Sequence, residues 1–177
     1  MNTMGLAAVL LAATCCAALP EQPSRSQPAA GPLTHFEKVT LERTRCYGTC
    51  PVYRVVILGD GRVEYDGYQF VKVGSAAATL SQQQIQALLA AINKARYFSL
   101  RNSYRRGGVG CPTWVTDHPS ALTSVTSGGV TKKIDHDLGC REPAGPDRGL
   151  GAPYPPDLTA FEKAIDEIVN TARWLKR

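Results

Sequence analysis

Cys46 and Cys50, with Pro51 directly after them, are the residues of this chain whose type and spacing most readily do chemistry. Two thiols this close can hold a soft metal, exchange electrons as a dithiol, or close into a structural bridge. Carboxylate and imidazole stand together at Asp117-His118 and at Asp135-His136-Asp137, a mixture that suits zinc. A zinc site needs three convergent ligands, and the spacing shows no convergence. Both clusters fall at strand ends or in loops, where Asp makes turns and His is expected to be exposed. No metal and no cofactor is expected from them, and His35, beside a tether, is expected to be inert. Arg101, Arg105 and Arg106 lead into Gly107-Gly108-Val109-Gly110. Such a loop is ordinarily a solvated basic surface; the sharper reading is a contact for an anionic ligand or an envelope polymer. There is no Gly-x-Ser-x-Gly, no His-Glu-x-x-His and no phosphate-binding loop after a strand. No catalytic residue is assigned, and the chain reads more as a binding or structural module than as an enzyme.

The elements that must position these residues are legible in the hydrophobic period. Val39 to Thr44 alternates apolar and polar, as a strand with one wet face does. Val52 to Leu58, VYRVVIL, is β-branched and aromatic and reads as a buried strand. Gly59-Asp60-Gly61 turns it back into Arg62–Asp66, and Tyr68–Val73 reads as a further extended stretch between Gly67 and Gly74. The period then changes to helical. Ser81 and Gln84 form a capping-box pattern ahead of Ile85, Leu88, Leu89 and Ile92. Residues 101–119 hold too many breakers for an element. Ala121–Ser127 and Val130–Asp137 form a hairpin about Gly128-Gly129. A last helix spans about Asp157 to Arg173, with Thr159 and Glu162 as a second capping box, and Trp174 is expected to fold back onto the core. Strands, helix, strands, helix is the order of an α+β fold. The expectation is a two-layer sandwich, an antiparallel sheet of about five strands with two helices packed on one face.

Compartment and cysteine usage point the same way. Met4–Leu19 is an uncharged apolar run, shorter than the about twenty residues that span a bilayer. It suits the apolar part of a signal peptide, although the first five residues carry no Lys or Arg. The expected organisation is a signal peptide at 1–19, a Pro/Ser/Gln/Ala-rich tether at 20–35, and one domain at 36–177. Cys15 and Cys16 end the apolar run and are the candidates for lipidation; a lipoprotein anchor and a soluble cleavage site both remain open. The expected location is the periplasm, free or held to the membrane by lipid. The domain then keeps Cys46, Cys50, Cys111 and Cys140, an even number in an exported chain, which implies two disulfides. Of the three pairings, Cys46–Cys50 with Cys111–Cys140 is favoured, the first being local and the second lying across the hairpin. The formal net charge of +5 is mild. Its Lys and Arg are dispersed rather than striped, so no nucleic acid is expected as partner.

Two resemblances bear on function. Cys-x-x-x-Cys-Pro is similar to the motif of copper chaperones with a thioredoxin-like fold, which add a distant His; His118 and His136 are available. In those proteins the motif opens a helix whose N-terminus lowers the thiol pKa, whereas here VYRVVILGDGRVEY follows as strand and hairpin. Separately, LERTRCYGTCPVYRVVILGDGRVEYDG resembles the opening of a bacterial envelope domain family of unknown function. The hexapeptide Cys46–Pro51 carries the likeness most specifically. LSQQQIQALLAAINKARYFSL, Thr116-Asp117-x-Pro119, the strand at 123–126 and a closing helix ending in Arg-Trp extend it over residues 37–175. The resemblance implies a secreted protein or lipoprotein and supplies no reaction. The leading expectation is therefore a non-enzymatic exported module binding a protein or an envelope polymer. The alternatives are thiol-redox or copper handling by Cys46 and Cys50, and a small exported enzyme inhibitor.

Overall fold

The structure, a computed structural model, describes residues 31–143 and 151–175. The signal peptide expected at 1–19, its Cys15 and Cys16, and the tether as far as residue 30 lie outside the described residues. Among those described, no helix is long and apolar enough to cross a membrane.

Alternating sequence makes the central strands. β1 (Lys38–Arg43) and β2 (Val52–Leu58) are antiparallel, and β3 (Arg62–Gln69) returns beside β2. Their inward positions, Val39, Leu41, Tyr53, Val55, Ile57, Val63 and Tyr65, are all buried. β4 (Ser75–Thr79) pairs with β3. β7 (Ser120–Ser127) lies on the other side of β1 and continues by a tight turn into β8 (Val130–Asp137). β5 (Ser103–Tyr104) is a two-residue parallel addition to β8. The sheet order is β4-β3-β2-β1-β7-β8-β5, and β6 (Thr113–Trp114) with β9 (Cys140–Arg141) forms a separate small ladder. The helices α1 (Gln82–Lys94) and α2 (Pro156–Val169) send Leu88, Ile92, Leu158, Phe161 and Ile165 into the same core as those strands. This is α+β with both helices' apolar stripes meeting one sheet face.

The sheet holds seven strands rather than about five. The additions are the ones that local pattern cannot announce. β4 reads Ser-Ala-Ala-Ala-Thr, which carries no apolar period, and β5 is a two-residue pairing, as are β6 and β9 of the separate ladder, inside segments whose breakers read as loop. The boundary near Gly67 also moves. β3 runs through Gly67 to Gln69, so Tyr68–Val73 is not a strand of its own. A Cβ on Gly67 would collide with the Val73 carbonyl, so this glycine marks a close backbone approach and not a strand end.

The Ser81–Gln84 capping box of α1 is present, with both reciprocal bonds. The one expected at Thr159–Glu162 is not. The N-cap of α2 is Pro155, four residues before Thr159, and the Thr159 hydroxyl donates to the Pro155 carbonyl at 3.0 Å. The helix also stops at Val169 instead of running to Arg173. Asn170 takes the left-handed conformation (φ 58°) that Asn tolerates at a helix end, and a short 3-10 helix follows over Thr171–Trp174. Trp174 does return to the core, its ring 4.5 Å from that of Tyr65.

Candidate functional site

The cysteines come first. Cys46 is joined to Cys50, and Cys111 to Cys140. The first bridge closes the turn between β1 and β2, and Pro51 leads into strand β2, not into a helix. Gly48 sits at φ 148°, a conformation strained for other residues, and Tyr47 beside it is 89% exposed. The second bridge is buried and ties the loop before β6 to β9.

The residues singled out for metal or anion chemistry do not converge. Asp117 takes a left-handed turn conformation (φ 70°), and its carboxylate accepts from the Thr116 hydroxyl. His118 Nε2 is 3.3 Å from the Arg141 guanidinium at the surface. Arg105 pairs with Asp135 across to β8, and Arg106 lies over the Trp114 ring at 4.5 Å. Among the described residues no group of three His, Cys, Asp or Glu is placed to hold a metal ion.

His136 is the largest departure. Expected to be exposed at a strand end, it is 1% exposed. The reason is strand parity: Val130, Lys132, Ile134 and His136 share the inward face of β8. Its Nε2 is 3.0 Å from the Tyr154 carbonyl, which can only accept, so Nε2 carries a hydrogen. Its Nδ1 is 2.8 Å from the buried Glu162 carboxylate. Glu162 Oε2 in turn faces Arg43 at 3.5 Å. Arg43 grips Asp166 at 2.8 Å, and Asp166 accepts from Tyr53 Oη at 2.6 Å and Thr171 Oγ1 at 3.0 Å. Burial works against the Arg43 guanidinium, but Asp166 and Glu162 outweigh it and raise its pKa. Burial first, then the Asp166 charge, raises that of Tyr53. With its members this deeply enclosed, the chain of groups pins α2 to β1, β2 and β8.

The accessible feature is elsewhere. A cleft of about 1390 Å³ is lined by residues of β1, β2, β7 and β8 and of the segment after α1. Lys38, Arg54, Arg96, Lys132 and Lys133 line it against only two carboxylates, Glu42 and Asp135. Asp135 is already engaged by Arg105. Burial lowers the Lys132 pKa, and its ammonium donates to Asn102 Oδ1 at 2.9 Å. Hydroxyls cover the floor, where Thr40 and Ser124 pair at 2.6 Å. None of the five cations stood out in the sequence, where only Lys132 and Lys133 are neighbours. Strand register gathers them: Thr40 is level with Ser124 and Ser124 with Lys133, while Glu42 is level with Arg54. For Lys38, Arg54 and Lys133 the signal was the outward half of an alternating strand, which a search for a helical or contiguous basic stripe passes over; Lys132 lies on the other face of β8 and Arg96 follows α1.

Residues 37–169 match the family described as Domain of unknown function (DUF6438). The chain belongs to the DUF6438 family. The matched span begins one residue before β1 and ends with the last residue of α2, so the DUF6438 domain takes in the main sheet, both helices and both disulfides. No curated protein matches the chain.

Proposed function

We propose that this DUF6438 protein is an exported, non-enzymatic binding module that takes an anionic envelope polymer in its basic cleft. The cleft carries the reading: five cationic side chains face two carboxylates, one of them already paired. Hydroxyl and amide groups between them offer donors and acceptors to a polar chain. Two disulfides support a location outside the reducing cytosol, in the periplasm or tethered to the membrane by lipid. Retention on an immobilised sulfated polysaccharide, used as a polyanion probe, tests it. Binding should weaken steeply with salt, because neutralised charges release counterions. Arg54→Glu with Lys133→Glu should abolish retention at a salt level where the wild type binds. Equal retention of wild type and double variant would sink the reading.

One observation favours a second reading, a protein partner or inhibited enzyme. Tyr47 stands 89% exposed on a loop held by Cys46–Cys50, and a rigid exposed aromatic is a common anchor at interfaces. Capture from envelope extract that is lost in Tyr47→Ala and unaffected by the cleft variants would favour it. The thiol or copper reading requires free Cys46 and Cys50. Counting thiols in protein isolated from the periplasm decides that, and fully oxidised cysteines without copper would end it.

A further inference from the structure

The main sheet has two unlike edges. At β8, parallel β5 covers residues 135 and 136, and Lys132 and Lys133 stand along the remainder. Lysine and a short covering strand are the usual means of keeping an edge from pairing. β4, at the other end, has neither. It reads Ser75-Ala76-Ala77-Ala78-Thr79, five residues with no charge, no proline and an unbroken register to β3.

The direction of its free backbone groups follows from the ladder. Gly67 N–H donates to the Gly74 carbonyl, and Leu80 N–H to the Gly61 carbonyl. Hydrogen-bonded pairs alternate in an antiparallel ladder, so Ala76 and Ala78 bond to β3. Ser75, Ala77 and Thr79 then turn their N–H and C=O groups outward, and all three residues are exposed. Among the described residues these outward groups have no backbone partner.

We infer that this edge pairs with β4 of a second copy of the chain, antiparallel, about a two-fold axis at Ala77. That register sets Ala77 opposite Ala77 and Ser75 opposite Thr79, so every outward group of one copy meets an outward group of the other. Alanine presents no bulk to hold the strands apart. Ser75 opposite Thr79 repeats a device already inside the sheet, where Thr40 pairs with Ser124 at 2.6 Å and Thr126 with Thr131 at 2.9 Å. Charge does not decide the pairing: Arg62 is level with Thr79 and Asp66 with Ser75, so Arg62 of one copy shares a row with Asp66 of the other, but at three strand spacings and with Arg62 already paired to Asp60. Glu64 meets Glu64 only across three strand spacings, about 14 Å, beyond the screening length of about 8 Å at physiological salt. The product is a continuous sheet with the basic clefts at its far ends. A five-residue edge makes a small interface, so the pairing is weak and concentration-dependent.

Sedimentation equilibrium of the purified protein tests this, and the mean mass should climb from monomer toward dimer between about 10 μM and 1 mM. Ala77→Pro removes an N–H that points away from β3, so the circular dichroism should be kept and the dimer lost. Ala77→Cys should cross-link on mild oxidation, since directly opposed residues of this type have Cα atoms about 5.5 Å apart, within disulfide reach. Ser75→Cys, opposite Thr79, should not cross-link. A monomer at every concentration, a dimer unchanged by Ala77→Pro, or equal cross-linking of the two cysteine variants would overturn the inference.

Discussion

Arg43 shows how one side chain can hold this fold. Its guanidinium lies between Asp166 at 2.8 Å and Glu162 at 3.5 Å, and Glu162 is 1% exposed. Arg43→Met leaves two carboxylates facing each other without their cation. Removing one member of a buried ionic group typically costs about 3–5 kcal/mol, and urea denaturation should show a loss of that size. Arg43→Lys should recover only part of it, because an ammonium cannot supply the planar fork that reaches both Nε and Nη2 contacts to Asp166. The residue types of this network were visible in the sequence; its partners were not. His136 and Glu162 are 26 positions apart and Arg43 and Asp166 are 123 apart. Strand parity would have placed His136 inside, but no local pattern pairs it with the seventh residue of α2. At the same scale, Asp117 accepts from Thr116 and His118 meets the Arg141 guanidinium, so the two neighbours in sequence turn to different partners.

The two disulfides should contribute unequally, because they tie elements at different separations. Cys111 and Cys140 are 29 positions apart, Cys46 and Cys50 only four. Chain-entropy scaling gives about 3.5 kcal/mol for the longer loop and about 2 for the shorter. Cys111→Ala with Cys140→Ala should therefore lower the denaturation midpoint more than Cys46→Ala with Cys50→Ala; the reverse order would contradict the loop argument. At the start of α1, Ser81→Ala removes the hydroxyl that accepts from Gln84 N–H and should cost about 1 kcal/mol by the same measurement. Elements with a strong local signal were readable: β2 falls where its β-branched and aromatic run puts it, β8 where the Gly128-Gly129 turn returns the chain, and α1 begins at its box. What local sequence could not supply was anything decided by a distant partner. β4 is a strand because β3 offers it a ladder, and β6 exists because β9 lies opposite. Thr159 and Glu162 had the spacing of a box, but Pro155 and Pro156 set an earlier start and packing took Glu162 for the core.

For the molecule as a whole, alkaline pH is the sharpest probe of how the layers are sealed. Tyr53, Tyr65 and Tyr97 come from two strands and the segment after α1, and all three are buried in one core. Burial, then the Asp166 charge, pushes Tyr65 up to about 12. Burial likewise raises Tyr97, whose hydroxyl pairs with Thr123 at 2.8 Å, and raises Tyr53 beside Asp166. In the unfolded chain each phenol ionises near its ordinary value of about 10. Below that value both states hold the proton and no stability depends on it. Above it the unfolded state binds fewer protons than the folded one, so stability falls as pH rises toward the folded values, by about 1.4 kcal/mol per pH unit for each such tyrosine. Unfolding should set in between about pH 10 and 12, and the phenolate absorbance of these three rings should appear together with the loss of near-ultraviolet dichroism. Tyr97→Phe removes one ionising group and should make the fall of stability above pH 10 measurably shallower, even if the lost bond to Thr123 lowers stability at neutral pH. An unchanged slope would mean that Tyr97 is reached by solvent before the sheet and helices part.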